Sequence, residues 1–200
     1  MTLEALLCIV RIEEVSTEGD SMNWACSDDQ TPLIGDLGSF SEPILFHKMD
    51  ETPEESQWDQ LVREYHYLGY VSQIGGRVKY LVSLGARLVG AVSFCSAAYR
   101  LGQRDLYVGW DEKTRLEYLP HLLNNNRFLI LPWIRVKNLA SRVLSMSIKR
   151  VREDWERQYD VEPYMVETFV DLELFCGVSY SNDFSRFQKL IYPDNKFLIS

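Results

Sequence analysis

The segment from Arg135 to Ser141 has the residue types of an anion site. Arg135 and Lys137 end an apolar run, and Asn138 and Leu139–Ser141 open a long amphipathic stretch. The first amides of a helix have no partner inside it and lie at the positive end of its dipole. With two neighbouring cations, such a helix start can bind phosphate groups. The alternative is that Asn138 only caps the helix and that Arg135 and Lys137 only make its start soluble.

A second cluster is acidic. Alternation along a strand places Glu167 and Asp171 on one face. Two carboxylates near a strand end can supply a general base, or metal ligands in a nuclease. Tyr180 follows and can act as a general acid, so Asp171, Glu167 and Tyr180 are candidate catalytic groups. The alternatives are that the acids pair with nearby arginines and that the tyrosine is packing.

The cysteines and histidines form no recognisable metal site. The four cysteines include no C-x-x-C pair, and the three histidines include no H-E-x-x-H motif. The sequence therefore supports no metal, and the thiols are expected to be reduced in a cytoplasmic protein.

Charge is distributed unevenly along the chain. The formal net charge is −8, but residues 1–60 hold fourteen acids and two bases. Within residues 127–157, eight bases face three acids. A nucleic-acid-binding surface is therefore expected within residues 127–157, although the net charge of the whole chain is negative. Its candidate residues are Arg142, Lys149, Arg150 and Arg152.

The domain that positions these residues is predicted to begin after an acidic leader. Residues 1–42 lack sustained periodicity and are predicted to be a loosely ordered leader, followed by a single domain over residues 43–200. The apolar run Leu3–Val10 contains Glu4 and is far shorter than the roughly 20 residues needed to span a bilayer. No membrane partner is expected, and the predicted location is the cytoplasm.

The first half of that domain is predicted to consist of strands and short helices. Residues 43–48 favour a strand, Pro53–Leu68 a helix, and residues 78–95 a hairpin turning at Gly85. Leu106–Trp110 is predicted to be another short strand, and Asp111 is predicted to cap a helix.

The second half contains the longest elements. Arg127–Ile134 is predicted to be a buried strand, Asn138–Gln158 a helix, Tyr164–Val170 a strand and Ser181–Leu190 a helix. The long helix has an apolar stripe, formed by Ala140, Leu144, Ile148, Val151 and Trp155. The predicted class is α/β, a mixed sheet flanked by helices.

The anion segment also carries a resemblance. The spacing Arg135-x-x-Asn138-x-Ala140 resembles the R/Q-x-x-G-x-G/A signature of the GNAT acyltransferase superfamily, with Asn in place of the first Gly. In that superfamily the loop receives the pyrophosphate of coenzyme A. The resemblance implies a GNAT-like fold and acyl-CoA as a cofactor bound by Arg135, Lys137, Asn138 and Leu139–Ser141.

Five motifs together resemble the Druantia-type anti-phage defence protein family over about residues 32–180. They are His66–Gly69, Arg104-Asp105 with Gly109-Trp110, Asn126–Pro132, Asn138–Ser141 and Glu167–Asp171. That family is prokaryotic and often lies beside mobile elements and defence genes. Its pattern is similar to that of Mom-type phage acyltransferases, a GNAT branch that modifies adenine in DNA. The resemblance implies a helix-start role for Asn138 and Ser141, which adds Ser141 to the candidate catalytic groups, and an active-site role for Asp171.

The chain departs from that pattern after Asp171. Family members continue with G-T-x-Y-x-A-x-N-W; Gly177 and Tyr180 match, whereas Val178 and Asn182 do not. A sheet shortened at the C-terminus and a degenerate activity are therefore both open.

Three functions follow as hypotheses. The leading one is a defence-associated acyltransferase-like protein acting on or near nucleic acid, with other defence proteins as partners. The second is a non-catalytic nucleic-acid-binding subunit that uses the bases of residues 127–157. The third is a carboxylate-dependent nuclease or transposase relative built on Asp105, Glu167 and Asp171.

Overall fold

The computed structural model describes residues 5–11, 29–49, 52–72, 75–171 and 188–191. The strands are β1 (Ala5–Arg11), β2 (Leu33–Asp36), β3 (Ile44–Lys48), β4 (Arg77–Leu84), β5 (Arg87–Ser96), β6 (Leu122–Ile130), β7 (Ile134–Lys137), β8 (Met165–Asp171) and β9 (Gln188–Ile191). The helices are α1 (Glu55–Tyr65), α2 (Gly102–Val108), α3 (Glu112–Tyr118) and α4 (Leu139–Tyr159), with short 3-10 helices at Leu37–Ser39 and Leu119–His121.

Seven strands form one mixed sheet in the order β3-β4-β5-β6-β8-β1-β9. Neighbouring strands are antiparallel except β6 and β8, which are parallel and are connected through β7 and α4. A parallel pair needs such a crossover, because a tight turn only reverses the chain. β2 and β7 pair separately, in parallel. The predicted α/β class is confirmed.

The helices cover opposite faces of this sheet. Lys79 on β4 forms ion pairs with Glu55 and Asp59 of α1. The next residue, Tyr80, donates its hydroxyl hydrogen to Asp154 of α4 at 2.8 Å. Successive strand residues point to opposite faces, so α1 and α4 lie on different sides.

The long helix packs as its stripe predicts. Leu144, Ile148, Val151 and Trp155 are buried, and Ala140 is half-buried. Asn138, however, has φ 67, and its side chain makes no cap hydrogen bond. Its part in the helix start is therefore left-handed backbone geometry, which Asn tolerates better than most residues.

Two predicted strand positions are wrong. Leu106–Trp110 is not a strand: Gly102–Val108 is the helix α2, which Gly109 ends at φ 75. The local β-propensity does not decide the structure here, because residues 104 and 105 are buried in ionic contacts that the helix allows. β6 also runs over Leu122–Ile130 rather than Arg127–Ile134, since the chain turns at Leu131–Trp133, where Ile134 N donates to Leu131 O.

The termini also differ from expectation. The segment predicted as a loosely ordered leader contains β1 and β2, and β1 lies between β8 and β9. Their partners are distant in sequence, so local periodicity gave no signal for them. Gln188–Ile191 is a strand where the predicted helix would end. The domain boundary at residue 42 and a shortened C-terminus stay predictions, because residues 12–28, 172–187 and 192–200 lie outside the described part.

Gly90 on β5 should tolerate no side chain. A Cβ there would lie 2.2 Å from the carbonyl oxygen of Leu129 on β6. We expect Gly90→Ala to lower the free energy of unfolding by about 3 kcal/mol, because the two strands must move apart. Urea denaturation measures this, with Gly102→Ala as the control, since nothing lies within 4 Å of that Cβ position. Equal stability of the two variants would contradict the tight β5–β6 contact.

Candidate functional site

The parallel pair β6–β8 is joined at only one end. Its pairing runs from Leu122↔Met165 to Asn125↔Thr168, although β6 continues to Ile130 and β8 to Asp171. On the other side of β6, Ser93 pairs with Arg127 and Phe94 with Asn125, so the register shifts around Asn126. Such bulges redirect side chains and are frequent beside active sites.

A buried charge cluster covers the joined end. Arg104 on α2 is fully buried, with Nη1 3.5 Å from Glu167 Oε2 on β8 and Nη2 3.0 Å from Asp105 Oδ1. Arg115 on α3 contacts the other oxygen of Asp105 at 3.2 Å. The Trp110 ring lies 5.8 Å from the guanidinium of Arg104. Two cations and two carboxylates thus alternate, which holds α2 and α3 against the sheet.

Burial dominates the protonation of this cluster. Glu167 is fully buried, and burial raises its pKa to about 7, against the opposing charge of Arg104. Asn124 and Cys95 are its successive register neighbours on β6 and β5. Burial and then the charge of Glu167 raise the pKa of the Cys95 thiol to about 12. The thiol is therefore a poor nucleophile.

A turn after α1 lies on the same sheet face. Arg127 Nε donates to Gly69 O at 2.8 Å, and its Nη1 donates to Asn126 O at 2.6 Å. His66 Nδ1 accepts a hydrogen bond from Leu68 N at 3.2 Å. Burial, and then the charge of Arg127, lower the pKa of His66 to about 4. The imidazole is therefore neutral at pH 7, with its proton on Nε2.

The predicted anion segment lies beyond the far end of β6. Arg135 and Lys137 on β7 are exposed, while the alternate residues Ile134 and Val136 are buried. Lys137 Nζ lies 3.8 Å from Asp36, a weak surface contact. Among the described residues, no hydrogen bond or ion pair links this segment to the charge cluster.

The predicted catalytic residues are only partly described. Glu167 lies inside the charge cluster, and Ser141 is half-buried in the first turn of α4. The backbone of Asp171 pairs with Ala5, but its side chain and all of Tyr180 lie outside the described part. Their catalytic roles stay predictions.

The predicted nucleic-acid residues fall into two groups. Arg142 and Lys149 are exposed on α4. Arg150 contacts Asp154 at 2.9 Å, and Arg152 forms an ion pair with Glu162. Arg142 and Lys149 are therefore the more accessible two of the four.

Neither a metal group nor a membrane span emerges from the described ranges. They contain no set of three or more His, Cys, Asp or Glu side chains that can hold a metal ion. None of their helices is both long and apolar enough to cross a bilayer.

Sequence reasoning missed the contacts that join the motifs. Arg104 meets Glu167, and Arg127 meets Gly69, although each pair is far apart in sequence. All four residues belong to the five separated motifs, and this was the available signal that they matter. The spacing of the motifs does not show which of them are in contact.

A comparison with protein-family models gives a match over most of the chain. The family model described as Druantia protein DruA matches residues 22–193, most of the chain. No curated protein matches this sequence.

The pH dependence of stability tests the state of Glu167. Its pKa is about 7 in the folded chain against an ordinary 4.5, so between these values the folded chain keeps a proton that the unfolded chain releases. Its contribution to stability is therefore present below pH 4.5 and is lost as the pH rises to about 7. Glu167→Gln cannot titrate, so we expect its stability relative to the parent to rise by about 3 kcal/mol over that range.

Urea unfolding at several pH values measures this difference, with the exposed Glu117→Gln as the control. Parallel curves for the parent and Glu167→Gln would show that Arg104 keeps Glu167 ionised throughout.

Proposed function

Since this chain belongs to the Druantia DruA family, which associates it with anti-phage defence, we propose that it is an acyltransferase-like protein acting on or near nucleic acid. The same membership makes other defence-system proteins its expected partners. A cytoplasmic location stays a prediction.

The point at which the pairing of β6 and β8 stops carries this proposal. The two strands are the parallel pair of an otherwise antiparallel sheet, and their pairing stops at Asn125↔Thr168. In the GNAT sheet that the sequence resembles, two strands splay apart around the ligand. The end of pairing at Asn125 and Thr168 supports the same use here, with the acyl group of acyl-CoA placed between the strand ends.

The start of α4 supports a site for the phosphates of acyl-CoA. The Asn138 side chain does not cap the helix, so it does not occupy the first amides of Leu139–Ser141. Arg135 and Lys137 are exposed beside them. Amides that the Asn138 side chain does not bond, at a positive helix end with two adjacent cations, suit a pyrophosphate.

The proposed chemistry is acyl transfer to an amine. The amine nitrogen attacks the thioester carbonyl, a new C–N bond forms and the C–S bond breaks. In this scheme Asp171 accepts or orients the amine proton, and Tyr180 returns a proton to the leaving thiolate. Glu167, four residues before Asp171 on β8, contacts Arg104 and is assigned to positioning. The acceptor binds near the exposed cations Arg142 and Lys149.

The second candidate is a non-catalytic nucleic-acid-binding subunit. The exposure of Arg142 and Lys149 favours this subunit as much as it favours the acyltransferase, because nucleic-acid binding requires only a cationic surface. The nuclease hypothesis is not proposed, because Asp105 and Glu167 both contact Arg104, so the cation occupies the carboxylates that would have to bind a metal ion.

Acyl-CoA binding separates the two candidates. We expect the full chain to bind acetyl-CoA, and Arg135→Ala/Lys137→Ala to weaken binding at least about tenfold, because each charge-assisted phosphate contact contributes more than 1 kcal/mol. Isothermal titration calorimetry measures both affinities.

The matched control is Arg100→Ala/Lys113→Ala, which removes the same charge from exposed positions near α2 and on α3. Oligonucleotide binding without acetyl-CoA binding by a folded chain would exclude the acyltransferase and favour the non-catalytic subunit. Equal weakening in both double variants would show that net charge, not this segment, governs binding.

A further inference from the structure

Arg127 differs from the buried cations of this fold in its partners. Arg104, Lys79 and Arg115 each contact at least one carboxylate. Half-buried Arg127 contacts only the carbonyl oxygens of Gly69 and Asn126, and the described residues offer it no acidic partner. The groups whose charges act on it are the Tyr67 phenol and the Cys95 thiol.

Among the described residues the charge of Arg127 has no anionic partner, and such a charge is costly where it lies. Removing a cation from water without an anion is unfavourable, and burial lowers the pKa of Arg127 accordingly. A guanidinium has five N–H donors, and the two carbonyl contacts use two of them. The remaining donors match the oxygens of a planar or tetrahedral oxyanion.

Arg127 lines a surface pocket with other polar groups. Ser93 and Asn126 share this pocket, and Ser93 Oγ donates to Asn126 Oδ1 at 2.8 Å. That contact leaves the amide nitrogen of Asn126 as a second donor. Tyr70 also lines the pocket, and Val71, exposed at 61%, lies at its rim. The bulge around Asn126 is thus where β6 presents two adjacent donors to the pocket.

The pocket is separate from the helix start that is proposed to bind the phosphates of acyl-CoA. Lys79, Ser93 and Arg127 are successive register neighbours on β4, β5 and β6, and Lys79 faces α1. The helix start that would bind acyl-CoA belongs to α4, which packs on the opposite face. An anion at Arg127 therefore approaches from the α1 side of the sheet.

We propose that Arg127 and Asn126 form an oxyanion site that binds a backbone phosphodiester of the nucleic acid. This assignment rests on the proposed function for its nucleic-acid partner, whereas the anion site itself rests on the pocket and on Arg127, which has no acidic partner in the described part of the chain. A free phosphate has the same chemistry and is the other source of the oxyanion.

His66 gives a readout of anion binding at this site. Burial and then the charge of Arg127 lower the pKa of His66, so an anion that neutralises Arg127 should raise that pKa by removing the second cause. We expect sulfate, exchanged for chloride at constant ionic strength, to raise the His66 pKa from about 4 towards its ordinary 6.5. NMR titration of the full chain measures this shift, with His66→Gln to assign the signal and Arg127→Gln to abolish the sulfate effect.

Nucleic-acid binding supplies the second arm. We expect Arg127→Gln to weaken binding of a fluorescein-labelled single-stranded oligonucleotide about tenfold, and its methylphosphonate analogue, which lacks backbone charge, to bind both forms equally. The control is Arg63→Gln, which removes an exposed arginine near the same pocket, over the Tyr70 ring.

The outcomes separate the two sources and the two proposals. A sulfate effect on His66 with no oligonucleotide loss in Arg127→Gln would assign the site to free phosphate and overturn the phosphodiester. An unchanged His66 pKa would show that Arg127 only clamps the Gly69 turn, which overturns the anion site. Acetyl-CoA binding that survives in Arg127→Gln shows that the proposed acyl-CoA site stands independently.

Discussion

The contact between Arg104 and Glu167 is the constraint on which the site depends. Both side chains are fully buried, one on α2 and the other on β8. A buried charge must be compensated, so α2 has to lie over the sheet where Glu167 is. The raised pKa of Glu167 shows that the cost of burial exceeds what Arg104 returns. The pair therefore fixes the position of α2 and α3 more than it adds stability.

Because of that constraint, one end of the β6–β8 pair is covered by the charge cluster and the other end is not. At the start of the pair, the charge cluster and α2–α3 close the sheet around Asn124 and Glu167. Beyond Asn125 the strands are no longer paired, and β6 carries the bulge, Arg127 and the pocket. Ligand access is therefore expected at the open end. Glu167 links the ends through the chain, because Asp171 follows it on the same strand.

The local sequence pattern predicts those elements whose hydrophobic period and turn residues lie within one short segment. The hairpin around Gly85, the strand carrying Glu167 and the buried stripe of α4 are confirmed, because period and turn chemistry are written in consecutive residues. β1 was missed because its partners are β8 and β9, far along the chain. Leu106–Trp110 was assigned to a strand because nothing in its sequence shows that Arg104 is buried against Glu167. Contacts between distant motifs depend on the whole topology, so the site itself could not be assembled from spacing.

A double-mutant cycle on Arg104 and Glu167 tests this account most directly. Arg104→Met, Glu167→Leu and the double variant would be compared with the parent by urea unfolding at pH 8, above the pKa of about 7 at which Glu167 ionises. We expect a coupling energy of at least about 2 kcal/mol, with the double variant more stable than Arg104→Met, since that single change leaves Glu167 buried without its cation. Single effects that add to within about 0.5 kcal/mol would show that the two side chains do not hold α2 against β8.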